Sequence, residues 1–353
     1  MNILITGGAG FVGSSIAIQL KKAYPHYHIM AFDNLKRRGS ELNLSDLRDH
    51  DIAFIHGDIR NPEDLAVLPP FELMIEASAE PSVMSGLDGD PTYVINNNLV
   101  GCIHCFNVCI KNKAKIIFLS TSRVYPIDII ESALYSEEET RFSFTPNQTI
   151  SGISERGISE ALSLNGARSF YGTTKLCGEH FLQEYAAFYG IEASVIRFGV
   201  IAGPRQMGKT DQGVVTLWMA KHYWKQSLKY IGYGGTGKQV RDLLHIDDVI
   251  DLVDHQIHHF DVFKNTVFNA GGGRNCSASL QEMTAICQEI TGNPITIGSD
   301  PVNRPADLRI YISDIAKIEY TTGWKPKKSV QNIFEDIFTW ISHNEQTLEK
   351  ILK

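Results

Sequence analysis

Short apolar runs alternate with amphipathic stretches through the first half of this 353-residue chain. Runs at 3–6, 28–32, 52–56, 73–76 and 116–120 have the length and composition of strands, and helical spacing fills the intervals. A sixth run, 193–198, follows a long helical stretch that starts near Tyr171 and ends near Tyr189. Such alternation predicts right-handed βαβ crossovers and a parallel sheet covered by helices on both faces. Beyond Gly199 the pattern loosens into loops rich in glycine (Gly232, Gly234, Gly235, Gly237). Helices are predicted there at 247–259, 279–291 and 330–343, with a strand at 266–269 before Gly271.

The first turn carries chemistry. Gly7, Gly8, Gly10 and Gly13 join the first strand directly to a helix that opens with Phe11 and Val12. Glycines there bring bare backbone N–H groups to a helix N-terminus, where the dipole favours a pyrophosphate. Asp33 ends the second strand twenty residues on, followed by Asn34, and its carboxylate can accept hydrogen bonds from ribose hydroxyls. This is a dinucleotide site on a Rossmann-type, doubly wound α/β sheet. NAD is the expected cofactor, although Lys36-Arg37-Arg38 leaves contact with a 2′-phosphate open. Asp58, next to Ile59, either accepts a bond from the adenine amino group or caps the helix that follows. Ser78, Ala79 and Asn98 complete the expected cofactor contacts.

Composition narrows the class. A net charge of −7 argues against a nucleic-acid surface. Of six cysteines, Cys102, Cys105 and Cys109 fall at i, i+3 and i+7, the buried face of a helix, and no metal site is expected. The first strand starts at once, and no apolar run reaches membrane-spanning length, so a cytoplasmic protein without membrane contact is expected.

Thr121 closes the fifth strand, and Tyr171-x-x-x-Lys175 opens the long helix. Residues at i and i+4 share a helix face, so the Lys175 ammonium can stabilise a phenolate at Tyr171. Tyr171 then serves as the base that removes a hydroxyl proton as hydride leaves the same carbon. Thr121 can hold the reacting oxygen.

Together these motifs resemble the extended short-chain dehydrogenase/reductases, the NAD-dependent epimerase/dehydratase family. The resemblance spans the whole chain and implies a nucleotide-sugar substrate, a tightly held NAD and a homodimer. In the dehydratases of that family, acids follow the strand-end threonine; here Ser122 and Arg123 stand there, as in the epimerases. Gly203-Pro204-Arg205-Gln206, Asp211-Gln212-Gly213, Arg241-Asp242 and Arg304-x-x-Asp307-x-Arg309 resemble the CDP-paratose 2-epimerase (CDP-tyvelose epimerase) branch. The implied activity is C2 epimerisation of a CDP-deoxyhexose through a transient keto sugar. A UDP-hexose 4-epimerase is the alternative, and a non-catalytic dinucleotide sensor is the alternative of another class. Glu80, Ser122, Arg123, Arg205, Gln206, Gln212, Arg241, Arg304 and Arg309 are the expected substrate contacts. The arginines either grip a diphosphate or form ion pairs, such as Arg241 with Asp242 and Arg309 with Asp307. The expected domains are 1–198 with 244–275 for NAD, and a smaller α/β domain of 199–243 with 276–353 for the nucleotide sugar.

Overall fold

A computed structural model describes every residue except 209–211. Seven strands make the main sheet: β1 (Asn2–Thr6), β2 (His28–Asp33), β3 (Ala53–His56), β4 (Leu73–Glu76), β5 (Lys115–Thr121), β6 (Ala193–Phe198) and β7 (Thr266–Ala270). Their order is β7-β6-β5-β4-β1-β2-β3. β1 pairs in parallel with β2 and β4, β2 with β3, and β4 with β5. The order reverses beside β1, the switch point at which doubly wound sheets bind ligands. The strands lie where the apolar runs predict them, because strands buried on both faces read as continuous hydrophobic sequence.

Helices α1 (Phe11–Ala23), α2 (Asn43–Asp49), α3 (Pro62–Ala66), α4 (Gly101–Asn112) and α5 (Phe170–Tyr189) follow the early strands. On α4, Cys102, Cys105 and Cys109 are buried in a core with Phe106, Phe118, Met74 and Leu182. The thiols are free. A π-helical turn, Asn96–Val100, leads into α4; such turns insert one extra residue and re-aim side chains.

The chain divides into two compact units. The first comprises Met1–Val124, Ser169–Arg197 and Val249–Phe268; the second comprises Tyr125–Arg168, Phe198–Asp248 and Asn269–Lys353. Residues 125–168, expected within the first domain, group with the second unit and make it as extensive as the first. Hydrogen bonds explain the grouping. Ile158 N–H donates to the Ile312 carbonyl at 2.8 Å, Phe142 N–H to that of Lys238 at 2.9 Å, and the Tyr125 hydroxyl to Asn269 Oδ1 at 2.7 Å. Within this unit the helices Leu280–Thr291 and Val330–His343 both start on serine capping boxes, at Ser279 and Ser329.

Candidate active site

In the first unit, the turn from β1 to α1 is shaped by what its glycines lack. Gly7 takes φ 64°, and a Cβ there would stand 2.8 Å from the Ala77 carbonyl oxygen. A Cβ on Gly13 would reach within 2.2 Å of the Gly7 carbonyl oxygen, far inside contact distance. Gly10 is the N-cap of α1, no side chain caps the helix, and its first turn carries no acid. The end of α1 is therefore a cradle of backbone donors, which fits the pyrophosphate of NAD. Phe11 and Val12 are half-buried in that turn.

Asp33 closes β2, where its Oδ2 accepts the Ala9 N–H at 3.2 Å and its Oδ1 the Leu35 N–H at 2.8 Å. Burial pushes the Asp33 carboxyl up, against the backbone donors of Leu35, Ala9, Gly10 and Asn34. The carboxylate of Asp58 is engaged by Arg60 Nε at 3.0 Å and Asn34 Nδ2 at 3.0 Å. Arg60 holds it well below the usual carboxylate range. Asp58 does not cap a helix; Asn61 is the N-cap of α3. Ile59 is buried, and Lys36 Nζ sits 3.3 Å above the Tyr93 ring.

After β4, Ser78 Oγ donates to Glu76 Oε1 and is in hydrogen-bond contact with the Thr6 hydroxyl at 3.2 Å. Asn98, within the π-helical turn, is buried. Its Oδ1 accepts the Glu80 N–H at 2.7 Å and its Nδ2 donates to the Glu80 carbonyl at 2.9 Å. Asn98 thus fixes the backbone beside Ala79. Glu80 Oε1 accepts the Ser82 N–H at 3.2 Å.

β5 ends in Thr121, buried with Ser122, and Thr121 Oγ1 accepts the Arg123 N–H at 3.2 Å. Ser169 caps α5 by accepting the Gly172 N–H at 3.2 Å. Tyr171 is the second residue of that helix, near the positive end of its dipole, and is half-buried. One turn on, Lys175 is 2 % exposed and Glu76 wholly buried, and they pair at 3.0 Å. Burial opposes the charge on Lys175, but the Glu76 and Tyr171 side chains outweigh it and push the ammonium above its ordinary range. A second buried pair lies further along α5. Glu179 meets Arg197 Nη2 at 2.6 Å and accepts the Ser120 hydroxyl at 2.5 Å. Sequence reasoning missed Glu76, because it ends an apolar strand 99 positions from its partner.

In the second unit, Arg241 Nη2 pairs with Asp307 at 2.6 Å and Arg309 with Glu131 at 3.5 Å. The ion pairs weighed from sequence, Arg241 with Asp242 and Arg309 with Asp307, are replaced by these, because the fold brings the loop residue Asp307 to Arg241 and the end of the helix Ile127–Glu131 to Arg309. Arg205 adopts φ 75°. The Gln206 amide is engaged by the Ile201 carbonyl at 2.8 Å and the Thr216 hydroxyl at 3.0 Å. Gln212 and Arg304 are half-buried, whereas Asp211 lies outside the described residues. Arg309 stacks its guanidinium 4.1 Å from the Tyr135 ring centroid and 5.2 Å from that of Tyr233. These residues, with Phe142, Glu137 and Asn303, line a pocket of about 500 Å³. No sequence signal marked it, since its aromatic walls come from distant segments.

Residues 3–271 match the model of the NAD dependent epimerase/dehydratase family. The chain is 29% identical to the CDP-paratose 2-epimerase of Salmonella typhi, over 97% of this chain and 99% of that protein. It is 27% identical to a putative UDP-glucose 4-epimerase of Methanocaldococcus jannaschii, over 98% of this chain and all of that one. Among solved structures, the UDP-glucose 4-epimerase of Thermotoga maritima with UDP-glucose superposes with a TM-score of 0.77 at 26% identity, covering 98% of this chain and 100% of that one. With its glycine cradle, its seven-stranded sheet and a family match across three quarters of its length, the chain belongs to the NAD dependent epimerase/dehydratase family.

Proposed function

We propose that this protein is an NAD-dependent epimerase that inverts C2 of a CDP-deoxyhexose of the CDP-paratose/CDP-tyvelose type. The observation that carries the reading is Tyr171 at the open end of α5, with a charged, buried Lys175 one turn behind it. NAD, when bound, supplies a hydride acceptor that also returns the hydride. Gly7, Gly10, Phe11, Val12, Gly13, Asp33 and Asn34 would hold it, with Asp58, Ile59, Ser78, Ala79 and Asn98 shaping the pocket. Tyr171 takes the proton from the sugar hydroxyl, and the oxygen becomes the carbonyl of a transient keto sugar. Thr121 holds that oxygen by a hydrogen bond. After the ketone turns over, Tyr171 gives its proton back to the same oxygen. Lys175 stabilises the phenolate from which the first transfer starts and which the second restores. Ser122 and Arg123 carry no carboxyl group to expel a hydroxyl, which supports epimerisation over dehydration.

Glu80, Ser122 and Arg123 are assigned to the sugar, and Arg205, Gln206, Gln212, Arg241, Arg304 and Arg309 to the rest of the nucleotide sugar. The aromatic pocket around Arg309 suits a flat base. The M. jannaschii and T. maritima relatives favour a second reading, inversion at C4 of a UDP-hexose. Proton NMR of purified protein with CDP-, UDP-, dTDP- and GDP-sugars separates the two. Changed ring couplings at C2 of a CDP-sugar are expected; change at C4 of a UDP-sugar would establish the alternative. Tyr171→Phe should lower kcat at least ~100-fold. Full activity in that variant would exclude Tyr171 as the base, whereas parent protein that binds NAD and turns over none of these sugars would leave a dinucleotide sensor.

A further inference from the structure

We propose that Glu76 is a positioning residue, holding the Lys175 ammonium in place and offsetting part of its field at Tyr171. The inference rests on the roles given above to Tyr171 and Lys175. Glu76 has no exposed surface, and its Oε2 takes Lys175 Nζ at 3.0 Å. Its Oε1 accepts the hydroxyl of Ser78, which also bonds Thr6 Oγ1 at 3.2 Å. The carboxylate is thus fixed from the β1 end and from its own loop. Lys175 Nζ lies 3.5 Å from the Ser78 carbonyl and 4.5 Å from the Phe118 ring centroid. Remaining neighbours add little charge. Cys102 and Cys105 on α4 are buried thiols pushed up by desolvation, and Cys177 faces Cys102 from α5.

The other buried pair on α5 is tied more tightly. Glu179 takes Arg197 through two guanidinium nitrogens and Ser120 through its hydroxyl. Glu76 and Lys175 make a single contact by comparison, beside the tyrosine proposed as base. A buried ion pair is weak evidence for stability, since apolar residues of similar volume do as well. Its electrical consequence is definite. With Glu76 ionised, Lys175 stays charged to higher pH, and a phenolate at Tyr171 meets a partly balanced cation.

Glu76→Gln keeps the shape and removes the charge. Both changes then act in one direction: the phenolate forms at lower pH and the ammonium is lost at lower pH. Both limbs of the pH dependence of kcat for epimerisation should move down by about 1 unit. A readout without substrate is the ultraviolet absorbance of the Tyr171 phenolate, taken as the difference between each protein and its Tyr171→Phe counterpart. Its midpoint should fall by a similar amount in Glu76→Gln. Should that variant not fold, Glu76→Asp withdraws the carboxylate by one methylene and should move the same midpoints down by less. Lower activity with unmoved limbs and an unmoved absorbance midpoint would overturn the inference and leave a structural pair. If no nucleotide sugar is turned over, the proposed reaction fails, and the absorbance midpoint still decides the role of Glu76.

Discussion

Asp242 shows how close packing changes the chemistry of one residue. A Cβ on Gly199 would lie 2.7 Å from its Oδ1, and one on Gly271 1.9 Å from its Oδ2, so bare backbone closes around the carboxylate. Ser313 N–H donates to Oδ2 at 3.1 Å. Burial pushes the carboxyl up to about 6. The folded protein therefore keeps this proton to higher pH than the unfolded chain, whose aspartates titrate near ~3.9. The contribution to stability is full below that value and is lost as pH rises through about 6. It amounts to about 3 kcal/mol. In urea unfolding, the Asp242→Asn variant should lose this part of the decline between pH 4 and 7 relative to the parent protein. An identical slope in both would place the titration elsewhere. Sequence spacing readily shows Tyr171 and Lys175, because helix geometry links residues four apart. It cannot show that Arg241 meets Asp307 or that Lys175 meets Glu76, because those pairings join segments 66 and 99 positions apart that only the tertiary fold brings together.

Among elements, the β1–α1 turn is the one whose form was most legible, since Gly7, Gly8 and Gly13 leave no room for a Cβ. Gly13→Ala tests this. The added methyl must displace the Gly7 carbonyl, which would otherwise stand 2.2 Å away. Overpacking of this kind costs about 1–3 kcal/mol. NAD affinity measured by calorimetry should fall roughly tenfold to a hundredfold, together with the thermal midpoint. Unchanged affinity would show that the pyrophosphate is held elsewhere. The long strands and the helices at Leu280–Thr291 and Val330–His343 were equally legible, because periodicity and serine caps mark them. The hairpin of Tyr135–Glu137 with Phe142–Phe144 was not. Strands of three residues are too short to show a period, and its packing against Arg309 depends on a segment far along the chain.

For the whole molecule, the homodimer implied by the family resemblance remains part of the proposal. Phe181, Phe188 and Tyr189 on α5 are 43%, 77% and 63% exposed. Positions 181 and 188 are seven apart, on one helix face. Sedimentation should give twice the mass of one chain, and Phe188→Asp should shift the population toward monomer. A monomeric parent protein would remove this part of the proposal. The described residues include no helix long and apolar enough to cross a membrane. The domain plan was legible only in outline, because residues 125–168 join the second unit through backbone hydrogen bonds that leave no mark on hydrophobic spacing. The segmented first unit, closed by Val249–Phe268, also bears on biosynthesis. A ribosome releases this chain from its N-terminus, so the seventh strand emerges only after most of the polypeptide has been made. Until then the sheet has a bare edge at β6, a template on which another chain's strand can pair.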